Sequence, residues 1–440
     1  MSPKENLPPL TRLFRACEPD EPVSPPDPRY VNCDDVRGDN LPRLYARALR
    51  LSNPLKPEVK VFAGHRGVGK SSELRRLKSM LEEPAPGEGR PFLVVLSDVS
   101  RSLDLNDLDF PDLLVFLAGE VQHQLRDANI PGFSAVTDRM RDLWDELSKV
   151  LQAKVSLKGR DLDIPYAPLA VELKNRPNAR ADLRAAIEKQ STNLLDAVND
   201  LLLLANVKLR EDGREGLVLL VDGLDKLVRR DLDGGGNTHE RLFLHRSEQL
   251  ASLKAHVIYT VPISLIYSPQ FTQLEQTFGE RNVPVPMIRL RGDDRSDPQP
   301  ETAGMRKMTE ILEARCRFAE VDLTSVFDSP KTRSYLCEMT GGHPRHLMMF
   351  LQAAASGVDD LPITRKAVER AVRDYANSLM RSIPDEFWEP LRQFGAPQTS
   401  IPTDVMHREM LFLLYIFEYM NGEPWYEVNP VIRTLPKFRE

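Results

Sequence analysis

Residues 58–81 read EVKVFAGHRGVGKSSELRRLKSML, and their order sets the fold. Glu58 to Ala63 alternates apolar and polar residues and then turns hydrophobic, as a strand entering a core does. The run Gly64-His65-Arg66-Gly67-Val68-Gly69-Lys70-Ser71 follows, matching G-x-x-x-x-G-K-[ST] in full. Ser71 to Leu81 then has the composition of a strong helix. Strand, glycine-rich turn and helix in this order make a physical device. The glycines let the backbone curl until its N–H groups face phosphate oxygens. The helix start at Lys70, Ser71 and Ser72 adds the positive end of its dipole. Lys70 is placed to reach β- and γ-phosphates, and the Ser71 hydroxyl to hold Mg²⁺.

Such a loop needs a carboxylate at the end of a neighbouring buried strand. Leu217 to Val221 reads LVLLV and runs into Asp222-Gly223-Leu224-Asp225-Lys226. Asp222 is the expected Mg²⁺ ligand, through water. Asp225 is a candidate for orienting an attacking water, or else a cap for the turn that follows. Further strands are expected at Phe92 to Leu96, Val257 to Val261 and Val285 to Leu290. Five strands separated by helices predict an α/β fold with a five-stranded parallel sheet. Between the second and third strands, a helical insertion is expected over about 107–205. It includes an Asp107 to Leu125 helix, a Thr137 to Leu151 helix and a clearer one from Ala181 to Ala205.

Beyond Thr302 helices take over, at Ala303 to Arg317, Lys331 to Met339, Pro344 to Ala355 and Thr364 to Met380, with Gly341-Gly342 between the second and third. Residues 1–28 hold eight prolines, which predicts an extended arm. From Thr403 another helix is expected, then a turn at Asn421-Gly422 and an aromatic, proline-rich end, an order that fits a winged helix. The expected domains are an arm over 1–28, a nucleotide-binding domain over 29–300, a helical lid over 301–358 and a C-terminal module over 359–440.

Charge and cysteine content narrow the classes. The net charge of −6 does not describe a polycation that coats nucleic acid. From Leu361 to Glu440, 10 Lys and Arg face 11 Asp and Glu. That balance disfavours DNA binding by the C-terminal module and favours its packing against the domain before it. The longest apolar runs, such as Met410 to Phe417, fall well short of the ~20 residues of a membrane span. The start MSPKENLPPL carries no apolar signal-peptide core. Cys17, Cys33, Cys316 and Cys337 are scattered and read as reduced thiols of a cytoplasmic protein.

The loop from Gly64 to Ser71 and the strand ending at Asp222 to Asp225 resemble the P-loop ATPases of the AAA+ and STAND groups, over roughly 30–355. In that group a polar sensor tips the strand after the metal-binding one, which implies Thr260, otherwise a polar residue closing its strand. The resemblance implies Arg281, before the fifth strand, as an arginine finger supplied to a neighbouring subunit, otherwise a surface arginine. Thr340-Gly341-Gly342-His343-Pro344-Arg345 looks like the lid element of these proteins. It implies Pro344 near an adenine and Arg345 on nucleotide, otherwise an ordinary first-turn proline and a cover for the lid helix. His343 and His346 have H-x-x-H spacing with no further metal ligand nearby. Arg180 and Arg184, on one helix face, read as a solvated face or as a phosphate contact.

Gly223 departs from the Asp-Glu pair of AAA+ motors and resembles STAND switches, which implies slow hydrolysis. The expectation is an ATP-binding, slowly hydrolysing switch with ATP and Mg²⁺ as cofactors. It would be a homo-oligomer with a separate effector protein, of the type used in bacterial signalling or antiviral defence. The rival expectations are an AAA+ ATPase that acts on nucleic acid and a scaffold that binds ATP and scarcely turns it over.

Overall fold

The computed structural model describes residues 7–53, 56–131, 138, 191–232, 235–279 and 282–440. The chain divides into two compact units. One is built from Met1–Leu41, Gly64–Glu73 and Pro284–Glu440, the other from Pro42–Ala63 and Leu74–Val283.

The second unit carries the sheet. Strands β1 (Val59–Gly64), β2 (Leu93–Asp98), β3 (Leu217–Asp222) and β4 (His256–Pro262) lie in the order β1-β4-β3-β2. β2 pairs parallel with β3, and β3 with β4. Every residue of β3 and β4 is buried, as their unbroken apolar runs require of strands covered on both faces. Helix Phe110–Asp127 opens with a capping box, in which the Asp109 side chain takes the Phe110 N–H while Asp112 returns a bond to the Asp109 N–H. Helix Ser191–Glu211 places Val198, Leu201, Ala205 and Leu209 in the same core as Phe116, Phe243, Tyr259 and Phe278. Asn206 ties that helix to the sheet. Its amide donates to the Leu202 and Lys254 carbonyls, and its oxygen accepts from Leu217 N–H. Most of the expected insertion, including the Thr137 to Leu151 helix, Arg180 and Arg184, lies outside the described residues.

The first unit is mostly helical. Helices Ala303–Ala319, Pro330–Met339, Pro344–Ala355 and Arg365–Ser382 agree with the sequence reading to within about three residues. Three expectations are corrected here. The proline-rich arm contains a helix, Pro9–Ala16, because Pro8 and Pro9 sit at its cap and first turn, where a missing N–H costs nothing. Leu13, Ala16 and Cys17 of this arm are buried, and Arg315 donates to the Ala16 carbonyl. Arg29, clamped by Glu21 and Asp27, lies over the Phe318 ring.

The fifth strand shrinks to one parallel bridge, Gly64 to Val285, leaving a four-stranded sheet. Pro284 and Pro286 flank Val285 and remove ladder donors. The next N–H groups go elsewhere, from Met287 to the Glu418 carbonyl, Ile288 to Gly342 and Arg289 to Val36.

The C-terminal helix is also shorter than read. It spans Val405–Phe412, Leu414 takes a left-handed φ of 65°, and the chain then forms an antiparallel hairpin of β5 (Ile416–Asn421) and β6 (Glu423–Val428). The chain reverses at Gly422, at φ 75°, with Asn421 facing Glu423 across the turn. Helix followed by wing-like hairpin is compatible with a winged helix. Among the described residues no helix is long and apolar enough to cross a membrane.

Candidate phosphate-binding site

The loop Gly64 to Ser71 turns on three glycines at positive φ, 149° at Gly64, 81° at Gly67 and 107° at Gly69. Gly67 is also required by packing. A β-carbon there would lie 2.6 Å from His343 Cε1 and 2.9 Å from Arg345 Cβ. Lys70 is buried, and its Nζ donates to the Gly64 and His65 carbonyls at 2.8 Å each. The ammonium is thereby folded onto the loop, at the start of helix Lys70–Glu82. The Ser71 side chain lies partly exposed. The Ser72 hydroxyl accepts the Val23 N–H of the arm at 3.1 Å. Arg37 donates to the Val68 carbonyl at 2.6 Å and stands 3.6 Å from the Glu73 carboxylate.

Two histidines fasten the loop. Glu418 N–H donates to His65 Nε2 at 3.0 Å, so the neutral ring carries its proton on Nδ1 and donates it to the Leu411 carbonyl, also at 3.0 Å. Burial, reinforced by the Lys70 charge, pushes the His65 pKa down to about 3. His343 caps helix Pro344–Ala355, its Nδ1 accepting the His346 N–H at 3.0 Å. The proton is then on Nε2, which donates to the Arg66 carbonyl at 2.7 Å. Burial and the adjacent His346 hold the His343 pKa well below the ordinary histidine value. His346 Nε2 and the Tyr375 hydroxyl are hydrogen-bonded at 3.0 Å, so both members of the H-x-x-H pair are engaged in packing.

Pro344 occupies the first turn of its helix. Arg345 meets the arm, with Nη2 2.9 Å from Asp20 Oδ1 and Nε 3.5 Å from the Pro19 carbonyl.

The second unit carries the acidic residues. Asp222 ends β3 in register with Asp98 at the end of β2, so two carboxylates stand side by side at the strand tips. They are hard oxygen donors of the kind Mg²⁺ takes. Asp222 Oδ1 accepts the Gly223 N–H at 2.8 Å. Asp225 is buried in the 3₁₀ turn Leu224–Lys226. Thr260 Oγ1 accepts from Leu224 N–H at 3.1 Å and donates to the Val221 carbonyl at 3.2 Å. Thr260 therefore braces the turn that carries Asp225.

Gly223 has a physical reason as well. Its φ is 87°, and a β-carbon would lie 2.6 Å from Asp98 Oδ1. Asp98 thus fills the volume that a side chain after Asp222 would need. Sequence reasoning passed over Asp98, although the strand-end rule that found Asp222 applies to it equally. It also passed over Arg37, for which no local signal exists. Arg281 lies outside the described residues.

No protein-family model and no curated protein matches the chain. Among solved structures, the ORC2 protein of Aeropyrum pernix in ADPNP–ADP complexes is similar at 12% identity, with 97% of this chain and 95% of that chain covered and a TM-score of 0.44. The Walker-type ATPase of Pyrococcus abyssi is similar at 17% identity over 94% of this chain and 100% of that one, with a TM-score of 0.42. The ORC1 protein of Aeropyrum pernix in complex with DNA is similar at 14% identity over 96% and 95%, with a TM-score of 0.39.

Proposed function

We propose that this chain is a P-loop ATPase of the AAA+ kind that works as a nucleotide-controlled switch. The observation that carries this reading is the loop itself. Its glycines adopt the left-handed backbone that a phosphate cradle needs, and Lys70 is buried against the loop carbonyls. In this reading Gly64 to Ser72 bind the ATP phosphates, and Lys70 moves its charge from the loop carbonyls to the β- and γ-oxygens. Ser71 and Asp222 hold Mg²⁺, which supplies neutralisation of the developing phosphate charge when bound. Asp225 orients the attacking water, Thr260 braces its turn, and Pro344 and Arg345 contact nucleotide. Arg281 acts as a finger within a homo-oligomer. Slow turnover follows from Gly223, which puts no carboxylate directly after Asp222.

A second reading, an ATPase that acts on nucleic acid, is favoured by helix Val405–Phe412 and its wing-like hairpin, since winged helices place a helix in DNA grooves. DNA is also the partner named in one of the similar structures.

The test is ATP binding and turnover, with and without duplex DNA, for wild type, Lys70→Ala and Arg281→Ala. Lys70→Ala is expected to weaken ATP binding at least tenfold, and equal binding by this variant overturns the proposal. DNA-stimulated turnover that falls steeply with salt selects the second reading.

A further inference from the structure

The second unit holds a cavity of about 190 Å³ at the amino ends of the strands, the edge opposite Asp222. Phe92, just before β2, and His256, the first residue of β4, form part of its lining, together with Leu203, Val207 and Arg210 of helix Ser191–Glu211 and Lys254. No part of the candidate phosphate loop contributes to it.

The chemistry of this lining is specific. His256 is 8% exposed. Its Nδ1 accepts the Glu58 N–H at 3.0 Å, which places the ring proton on Nε2. That N–H has no hydrogen-bond partner among the described residues, although the ring lines the cavity. Burial holds the ring neutral, with its pKa pushed down to about 4; the Glu58 and Glu215 carboxylates oppose this shift and the Arg210 charge adds to it. Lys254 is exposed at the mouth and makes no ion pair among the described residues. The one acid in the lining, Glu215, faces Arg90 at 3.4 Å, and its backbone carbonyl accepts the Arg210 Nε–H at 3.4 Å. Arg50 closes a wall, its guanidinium over the Phe92 ring and donating to the Arg90, Met80 and Leu81 carbonyls. Leu203 and Val207 present an apolar rim, 50% and 47% exposed.

A buried neutral N–H donor in a lining that also holds Arg210 and Lys254 suits an anionic acceptor. Apolar walls select a hydrocarbon body and disfavour a multiply charged ion. The volume lies under the roughly 300–1,000 Å³ of clefts that take drug-sized ligands. We propose that this cavity is a binding site for a small monocarboxylate with an apolar body, its carboxylate on His256 Nε2–H and Arg210 under Lys254, and its hydrocarbon against Phe92, Leu203 and Val207.

The experiment is a titration of the full-length protein with sodium benzoate and sodium 4-methylpentanoate, followed by saturation-transfer NMR and calorimetry. Benzamide serves as the neutral counterpart. At least one carboxylate is expected to bind, benzamide at least tenfold more weakly than benzoate. Arg210→Gln with Lys254→Gln should lower carboxylate affinity at least tenfold. Val207→Trp, which fills the rim, should abolish binding in a protein whose melting temperature shows it folded. Lys70→Ala should bind the carboxylate as wild type does, so the outcome is independent of the ATPase reading. The proposal is overturned if neither carboxylate binds, if benzamide matches benzoate, or if binding survives both the charge and the rim variants.

Discussion

His343 and Arg66 are joined by a 2.7 Å hydrogen bond from the imidazole Nε2–H to the backbone carbonyl. The same ring accepts the His346 N–H on Nδ1. One neutral side chain thus both starts the helix Pro344–Ala355 and fixes the glycine loop of the candidate phosphate site. Each bond dictates the tautomer the other needs. The loop's geometry and the lid helix are therefore set together, through one histidine of the H-x-x-H pair.

His343→Asn separates these two duties. Asparagine is a good N-cap, so the helix start survives. Its shorter side chain cannot reach the Arg66 carbonyl. We expect a melting temperature close to wild type and ATP affinity lowered severalfold. His343→Ala loses the cap as well, at a cost of about 0.5–2 kcal/mol, and should melt lower. Equal ATP affinity for wild type and the asparagine variant would show that the bond does not position the loop.

Stability should fall with acid in a defined window. The His65 and His346 pKa values are pushed down to about 3 by burial, whereas an unfolded histidine titrates near 6.5. Because the folded values are depressed, the unfolded chain binds more protons below pH 6.5. The contribution is fully present above that pH and is lost as pH drops towards 3. Each such histidine removes roughly 1.4 kcal/mol per pH unit in that range. Denaturant midpoints measured from pH 7 to pH 5 should decline. His346→Phe, placed among Phe350 and Phe417, should reduce the slope by about one proton, and an unchanged slope would exclude His346 as a source.

Gly223→Glu restores the Asp-Glu pair that motors of the resembling family carry, and it should fail. The backbone φ of 87° disfavours a side chain, and the new β-carbon would meet Asp98 Oδ1 at 2.6 Å. Strain and clash together cost roughly 1–3 kcal/mol, and the added carboxylate repels Asp98. Melting temperature should drop and ATP turnover should not rise. Faster turnover at unchanged stability would mean that Asp98 yields its place easily.

What could be read from sequence follows from how far apart the interacting residues lie. β2, β3 and β4 are buried apolar runs with turn chemistry behind them, and such runs report their own environment. The glycine loop is a local motif and was legible in the same way. The expected fifth strand, Val285 to Leu290, rests on the apolar residues Val285, Met287, Ile288 and Leu290, and Pro284 and Pro286 cancel its ladder. The stretch Leu411 to Tyr419 is apolar enough for helix or strand, and the left-handed turn at Leu414 that decides it has no glycine to announce it. Contacts such as His343 to Arg66, Glu418 to His65 and Asp98 to Gly223 join segments remote in sequence. Only the pairing of strands and the docking of loops creates them.

The arm supplies the remaining prediction. Arg345 is held by Asp20, 2.9 Å away, in a pair whose side chains are 27% and 78% exposed. At that exposure the pair contributes about 0–1 kcal/mol to stability, so Asp20→Ala should melt within about 2 °C of wild type. If Arg345 serves nucleotide phosphate, the pair competes with that use. Asp20→Ala should then bind ATP severalfold more tightly at low salt, and Arg345→Ala more weakly than either. The advantage of Asp20→Ala should shrink at about 0.5 M salt, where the Debye length falls below about 5 Å and the competing pair is already screened. Calorimetric titration of the three proteins at two salt concentrations measures this. Identical low-salt affinities for wild type and Asp20→Ala would leave Arg345 as a clamp for the arm and remove it from the nucleotide site.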